Sequence, residues 1–274
     1  MKTWLITGCS SGIGKGIAEA VLKSGDNAIV TARNVDSVAN FSEEFPETAL
    51  AVALDVTSKE SMNQAIEKGV EKFGTIDYLI NNAGYGYRSS VEEGEEENVD
   101  LLFETNFFGP IYLIKQVLPY MRKQRSGGII NISSIAAARS GIGSGYYAAS
   151  KAALELMTDG LYKEATPLGI KVMIVEPGAF RTKFYDTSLK GTSNKIEDYA
   201  DTAWKTRKEN IVDNQDQPGD PQKAGKVIIE TIKKENYPKC LLLGSDAVKV
   251  VSAALAEKQK EIAEWQEVSK QTDY

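Results

Sequence analysis

The sequence predicts an α/β protein: a three-layer, doubly wound and mostly parallel sheet of about seven strands, flanked by helices. Short apolar segments alternate with segments of helical periodicity along the chain, as in repeated βαβ units. The apolar segments are nearly continuous, which is typical of strands buried on both faces of a parallel sheet. No stretch reaches the 18 or more apolar residues of a membrane-spanning helix.

The elements follow one another in a regular order. The predicted strands are "TWLIT" 3–7, "NAIVTA" 27–32, "ALAVALDV" 49–56, "IDYLIN" 76–81, "GGIINIS" 127–133, "KVMIVEP" 171–177 and "CLLLG" 240–244. Predicted helices between them include residues 12–25, 58–74 and 147–165. The polar residues 185–222 lie between two strand–helix units, so we interpret them as a helical insertion that covers a substrate pocket. Residues 1–274 are then one domain.

Two charged or amphipathic segments have simple interpretations. The acidic segment "EEGEEENVD" at 92–100 precedes a helix-like segment, where carboxylates favour the helix dipole. The C-terminal segment from residue 245 onward is an amphipathic helix that either docks on the core or contacts another subunit.

Composition excludes several classes of function. A net charge of −6 disfavours nucleic acid as a partner, because phosphate binding needs clustered Lys and Arg. The chain has no His, which removes the Ser-His-Asp triad and the usual zinc sites, so we expect no metal. With two cysteines, and an early apolar run too short for a signal peptide, we expect a reduced cytoplasmic protein without a membrane span.

A glycine-rich loop follows the first predicted strand and opens the first predicted helix. In "TGCSSGIG" at 7–14, glycines at 8, 12 and 14 let a pyrophosphate approach the backbone and the positive end of the helix dipole. The second strand ends in "VTARN" with Arg33 and no carboxylate, whereas NAD-binding folds place an acid there for the ribose 2′-hydroxyl. A guanidinium pairs well with a 2′-phosphate, which favours NADP(H) and leaves NAD(H) possible.

Tyr147 and Lys151 lie four residues apart on a predicted helix, hence on one face. A free phenol has a pKa of about 10, and a cation at ~4 Å is worth roughly 4 kcal/mol at an effective dielectric of about 20, or about three pKa units. Lys151 could therefore bring Tyr147 into the range where general acid–base catalysis is efficient. "IINISS" at 129–134 adds two serines at the carboxyl end of a strand, where such sheets bind ligands.

Together these motifs resemble the single-domain short-chain dehydrogenase/reductases, which have the Rossmann fold, over about residues 3–245. The motifs, in order, are Thr7-Gly8-x3-Gly12-x-Gly14, Asp55 in "LDV", "NNAG" 81–84, Asn106, Ser134, Tyr147, Lys151 and "PGAFRT" 177–182. The family spacing of 13 residues between serine and tyrosine selects Ser134 over Ser133, and the lysine spacing selects Tyr147 over Tyr146.

The resemblance implies a role for each matching residue. Tyr147 is the acid/base, Lys151 tunes it and holds the nicotinamide ribose, Ser134 binds the substrate oxygen, and Asn106 links the lysine to a water relay. The implied cofactor-binding residues, which include Tyr147 and Lys151, are otherwise Gly8, Ser10, Ser11, Gly12, Ile13, Gly14, Arg33, Asp55, Val56, Asn82, Ala83, Gly84, Pro177, Gly178 and Thr182.

The resemblance implies an oxidoreductase acting on CH–OH donors, of class EC 1.1.1. Aromatic and apolar residues after the motifs favour a hydrophobic ketone or aldehyde, as in carbonyl reductases. A 3-ketoacyl thioester reductase and a non-catalytic NADP(H)-sensing protein remain alternatives, while a sugar-nucleotide epimerase is disfavoured by the glycine spacing. Members of this family commonly assemble as dimers or tetramers, through helices that correspond here to 100–123 and 147–165. The resemblance therefore implies a homodimer or homotetramer.

Overall fold

The structure is a computed structural model that describes residues 1–184, 188–205 and 216–274. Its nine strands in the described residues are β1 Thr3–Ile6, β2 Asn27–Ala32, β3 Ala49–Ala53, β4 Tyr78–Asn81, β5 Gly86–Arg88, β6 Gly127–Ile132, β7 Ile170–Pro177, β8 Leu189–Gly191 and β9 Cys240–Leu243. The α-helices of the same residues are α1 Gly12–Lys23, α2 Ala39–Glu44, α3 Lys59–Phe73, α4 Glu96–Phe103, α5 Gly109–Gln124, α6 Gly145–Ala165, α7 Pro221–Lys233 and α8 Ser245–Ser269.

Seven strands form the central sheet, in the order β3-β2-β1-β4-β6-β7-β9. Every neighbouring pair is parallel, which confirms the predicted doubly wound fold and all seven predicted strands. Strand order reverses between β1 and β4, so the chain diverges to opposite sides there and leaves a crevice at their carboxyl ends. The glycine loop begins at this crevice, directly after β1.

The two faces of the sheet bury separate apolar clusters, which explains the continuous apolar strands. Along β1, Trp4 and Ile6 pack with α1 and α7, whereas Leu5 packs with α3 and α5 on the opposite face. Successive side chains of a strand point to opposite faces, so a strand covered on both sides needs apolar residues at every position. Trp4 also stacks on Tyr78 of β4 with ring centroids 3.9 Å apart.

A second, small sheet ties the predicted insertion to the body of the protein. Strand β8 pairs in parallel with β5, an arrangement that the sequence did not predict. Glu93 lies between β5 and α4 and is fully buried, and its carboxylate accepts hydrogen bonds from Ile196 N at 2.7 Å and Trp204 Nε1 at 2.8 Å. The acidic segment therefore anchors the insertion, in addition to placing Glu96 and Glu97 in the first turn of α4. Residues 185–187 and 206–215 of the predicted insertion lie outside the described residues.

The C-terminal helix α8 docks only at its beginning. Ala247 and Val251 are buried, but every residue from 255 to 274 is exposed, including the apolar Leu255, Ile262 and Trp265. Docking on the core, the first of the two predictions for this helix, therefore holds for its first two turns. Within the described ranges, no helix is both long and apolar enough to cross a bilayer.

Candidate active site

The sequence motifs meet in one cleft of about 1030 Å³ at the carboxyl ends of the central strands. All but one of the predicted site residues line it: Gly8, Ser10, Ser11, Gly12, Ile13, Gly14, Arg33, Asp55, Val56, Asn82, Ala83, Gly84, Ser134, Tyr147, Lys151, Pro177, Gly178 and Thr182. The exception, Asn106, lies behind the wall. Ser133 and several aromatic side chains, including Tyr85 and Phe184, also line the cleft.

The glycine loop has the geometry of a phosphate cradle. Gly8 and Gly12 have φ of +73° and +59°, in the left-handed region that favours glycine. A Cβ on Gly14 would lie 2.3 Å from Gly8 O, so any side chain there would force the loop apart. The side chain of Ser11, the residue before α1, makes no capping hydrogen bond to this helix. The loop and the positive end of the α1 dipole therefore fit a pyrophosphate.

Thr7 and Asn82 hold this loop in place by side-chain hydrogen bonds. Thr7 Oγ1 accepts from Asn82 N and Ala83 N, each at 3.0 Å. Asn82 Nδ2 donates to Thr7 O at 2.8 Å and Gly8 O at 3.0 Å. The segment after β4 thus supports the loop as well as lining the cleft. Thr7 belongs to the glycine-loop motif, but nothing in the local sequence of a strand-end threonine predicts these contacts.

The end of the cleft beside β2 and β3 carries one cation and one carboxylate among its described lining residues. Arg33 is exposed and directly follows β2. Asp55 Oδ1 accepts from Thr57 N at 2.9 Å and Thr57 Oγ1 at 2.8 Å, so this carboxylate closes a turn before α3. The Asp55 carboxylate is thus engaged by Thr57 after β3, whereas the charged side chain that directly follows β2 is Arg33.

Helix α6 places Tyr147 and Lys151 at the cleft. Lys151 is buried, donates from Nζ to Ile132 O at 2.9 Å, and lies 6.0 Å from the centroid of the Tyr147 ring. Burial lowers the pKa of Lys151 to about 8, and the negative charge of Glu155 opposes that shift. The Tyr147 ring packs against Phe184 with centroids 5.7 Å apart.

Asn106 lies in a π-helical turn, Glu104–Phe108, between α4 and α5. It is fully buried; Oδ1 accepts from Tyr85 N at 3.2 Å, while Nδ2 donates to Tyr85 O at 3.0 Å and Ser150 Oγ at 3.1 Å. A Cβ on Gly84 would lie 3.0 Å from Asn106 Oδ1 and 3.4 Å from Lys151 Nζ. Asn106 therefore lies beside Lys151, behind the cleft wall, and its hydrogen bonds join Tyr85 to Ser150.

The surroundings differ between Ser133 and Ser134, which both line the cleft, and between Tyr146 and Tyr147. Ser134 Oγ accepts from Ala136 N at 3.1 Å, and a hydroxyl that accepts can still donate, here toward a substrate oxygen. Ser133 is more deeply buried and its N donates to Val175 O at 2.7 Å. Tyr146 OH donates to Val91 O at 2.7 Å, and among the described residues Tyr146 is not part of the cleft wall.

The sequence did not predict one group of polar side chains, which lies behind Lys151. It consists of Glu155 on α6 and Cys240 on β9, both half-buried, and Ser133 after β6 and Glu176 on β7, both buried. Burial raises the pKa of Glu155 to about 7. The available signal was the i, i+4 spacing from Lys151 to Glu155, which puts both on one helix face.

This arrangement can perform acid–base chemistry next to a bound nucleotide. A phenol and a hydroxyl, on Tyr147 and Ser134, face the same space, and a buried ammonium lies below the phenol ring. The phosphate cradle opens into the same cleft, so a long cofactor can reach from the loop to the phenol.

Several known proteins are similar to this chain in sequence and fold. The chain matches the family described as short chain dehydrogenase over residues 2–192. A short-chain dehydrogenase from Streptomyces avermitilis has 40% identity and a TM-score of 0.92, covering 99% of this chain and 98% of that one. Oxidoreductase BOA17 of Botryotinia fuckeliana is 34% identical over 98% of both chains. The 3-ketodihydrosphingosine reductase of Bacteroides thetaiotaomicron is 39% identical over 85% of this chain and 84% of its own length. On its fold, its motifs and these relatives, the chain belongs to the short-chain dehydrogenase family of oxidoreductases.

Proposed function

We propose that this chain is an NADP(H)-dependent oxidoreductase of class EC 1.1.1 that interconverts a hydrophobic ketone or aldehyde and its alcohol. The observation that carries the proposal is the pair Tyr147 and Lys151: the phenol lines the cleft, and the ammonium is buried 6.0 Å from its ring centroid. A buried cation beside a phenol favours the phenolate, so Tyr147 can both give and take a proton near neutral pH.

The proposal assigns roles to the nicotinamide and to four side chains. The nicotinamide, when bound, supplies or accepts the hydride. Tyr147 donates its hydroxyl proton to the carbonyl oxygen during reduction and removes it from the alcohol during oxidation. Ser134 donates a hydrogen bond to the same oxygen and stabilises its developing negative charge. Lys151 favours the tyrosinate left behind and holds the ribose, while Asn106 fixes the wall beside Lys151.

Preference for NADP(H) rests on the charge at the end of β2. Arg33 is exposed at the cleft and directly follows the strand, where it can pair with a 2′-phosphate. Asp55, the carboxylate at this end of the described lining, is engaged by Thr57. NAD(H) lacks the phosphate and would lose this contact.

The substrate half of the cleft favours a compound with an apolar body. Its described wall includes Tyr85, Phe180 and Phe184 around the phenol. A 3-ketoacyl thioester is the second candidate, because the exposed cations Arg139 and Lys190 line the same cleft and suit the phosphate of an acyl carrier.

Self-association is part of the proposal. On the helices predicted to contact another subunit, the apolar side chains of Leu101, Phe108, Tyr120 and Leu156 are between 36% and 77% exposed. Four exposed apolar side chains on these helices favour a homodimer or homotetramer that buries them between subunits.

The test measures NADPH oxidation with aliphatic, aromatic, steroid and acyl-thioester carbonyls. Tyr147→Phe should abolish turnover and leave NADPH binding intact, since the ring packing survives. Tyr146→Phe is the matched control and should retain activity, because its hydroxyl bonds Val91 O instead. Turnover that survives Tyr147→Phe refutes the role of Tyr147. Tight NADPH binding without turnover on any carbonyl favours the NADP(H)-sensing alternative.

A further inference from the structure

We propose that Glu155 is a positioning residue whose charge sets the pH at which the Tyr147–Lys151 pair loses a proton. The catalytic part of this inference rests on the proposed function. The part that concerns the Glu155 carboxyl rests on the polar group behind Lys151 alone.

Glu155 lies one helical turn after Lys151, on the same face of α6. Its Oε1 is closed off from solvent and makes no hydrogen bond of good geometry within the described part of the chain, and the same is true of Ser133 Oγ. The Ser133 hydroxyl is nevertheless close enough to favour the ionised carboxylate of Glu155. Few hydrogen bonds therefore stabilise the ionised carboxylate of Glu155.

Glu176 is the second carboxyl of the group and directly precedes Pro177 in the cleft wall. Its Oε1 accepts from Cys240 Sγ at 2.8 Å, and its Oε2 is buried without a partner among the described residues. Burial raises the pKa of Glu176, and the charge of Glu176 in turn raises the pKa of Glu155. A charged Glu176 thus favours the protonated form of Glu155.

Lys239, which directly precedes Cys240 of this group, forms an ion pair with Asp159 at 2.5 Å. Lys151 is the cation that lowers the pKa of Glu155. The coupling between Glu155 and Lys151 is reciprocal, because the carboxylate raises the pKa of Lys151.

A negative charge at Glu155 opposes proton loss from both members of the catalytic pair. Losing a proton makes Lys151 neutral or Tyr147 anionic, and a nearby anion disfavours each change. Neutralising Glu155 should therefore lower the pH at which the pair loses its proton. Carbonyl reduction needs that proton, whereas alcohol oxidation needs its absence.

The first experiment measures kcat/KM against pH in both directions for Glu155→Gln, Glu155→Asp and Glu164→Gln. Glu155→Gln should move the basic limb of reduction and the onset of oxidation down by about one pH unit. Glu155→Asp keeps the charge and should restore most of the wild-type profile. Glu164 is exposed on the same helix, so its neutralisation should leave the profile unchanged. A uniform loss of kcat with unmoved limbs means a merely structural role and overturns the proposal.

The second experiment needs no turnover. Infrared difference spectra of the protein against pH should show a protonated carboxyl that titrates near pH 7, the value to which burial raises the pKa of Glu155. The band should change in Glu155→Gln, and its midpoint should rise in Lys151→Met. If the band behaves so but no carbonyl is reduced, the coupling stands and the proposed function falls. If Lys151→Met leaves the midpoint unmoved, the coupling is refuted.

Discussion

Glu93 fastens the segment 188–205 to the body of the protein. The carboxylate accepts four hydrogen bonds: from Ser90 N at 3.2 Å and Ser90 Oγ at 2.8 Å on Oε2, and from Ile196 N at 2.7 Å and Trp204 Nε1 at 2.8 Å on Oε1. Burial alone would raise the pKa of Glu93, but these hydrogen bonds outweigh it and hold the pKa below its ordinary value. Because Ser188, Leu189 and Lys190 line the cleft, this contact also holds part of the cleft wall.

Glu93→Gln preserves the size of the side chain and removes the charge and one acceptor. Whichever way the amide turns, its NH₂ faces at least one backbone N–H, either that of Ser90 or that of Ile196. A hydrogen bond to a charged group contributes about 1.5–3 kcal/mol, and a buried unpaired donor costs about 1–3 kcal/mol. We expect Glu93→Gln to weaken the attachment by about 2 kcal/mol, or roughly thirty-fold in the equilibrium for opening.

Hydrogen exchange at the amides of residues 192–204 measures this opening directly. Protection there should fall in Glu93→Gln by roughly thirty-fold. Glu97→Gln is the matched control, since Glu97 is exposed in the first turn of α4. Because the pKa of Glu93 is lowered from its ordinary value of 4.5, the contribution of Glu93 to this attachment is fully present above pH 4.5. It is lost as the pH falls below that value. Equal protection in the variant and the wild type would refute the reasoning.

Two further predictions concern the cofactor. Arg33→Ala should raise the Kd for NADPH about tenfold, the worth of an exposed charge-assisted contact, and leave the Kd for NADH unchanged in fluorescence titrations; equal weakening of both would contradict the assignment of Arg33. Gly14→Ala should abolish binding of both cofactors, because its Cβ would lie 2.3 Å from Gly8 O, while Gly160→Ala, with nothing within 4 Å, should bind normally in the same titration.

The central sheet was predictable because its strands carry their own signal. Segments such as Ile170–Pro177 are apolar at nearly every position, and burial on both faces demands that pattern. Strands β5 and β8 have three residues each and pair across about a hundred residues of sequence, between Gly86 and Leu189. Their stability comes from the pairing and not from local composition, so no pattern in either segment predicts them.

The sequence could predict which residues lie together where helical spacing determines their positions. It could not predict side chains whose surroundings depend on burial by distant segments. Tyr147 and Lys151 share a helix face by periodicity alone. Glu155 continues that face, yet a glutamate on a helix is by default a solvated residue. In the fold, β7 packs beside α6 and Glu155 Oε1 is closed off from solvent. Glu93 has the sequence pattern of an acidic residue before a helix. That local pattern does not predict its hydrogen bonds from Ile196 and Trp204, which lie about a hundred residues away.

Asn106 shows why a motif can identify a residue without explaining it. A buried amide must satisfy its polar atoms, and this one does so through Tyr85, 21 residues before it, and Ser150, 44 residues after it. Ser150 Oγ donates in turn to Tyr147 O at 2.8 Å. The π turn at Glu104–Phe108 holds the amide between these partners, at the expense of regular helix geometry. Asn106 thus connects the wall of the cleft to the helix that carries Tyr147, and only the assembled fold brings the three segments together.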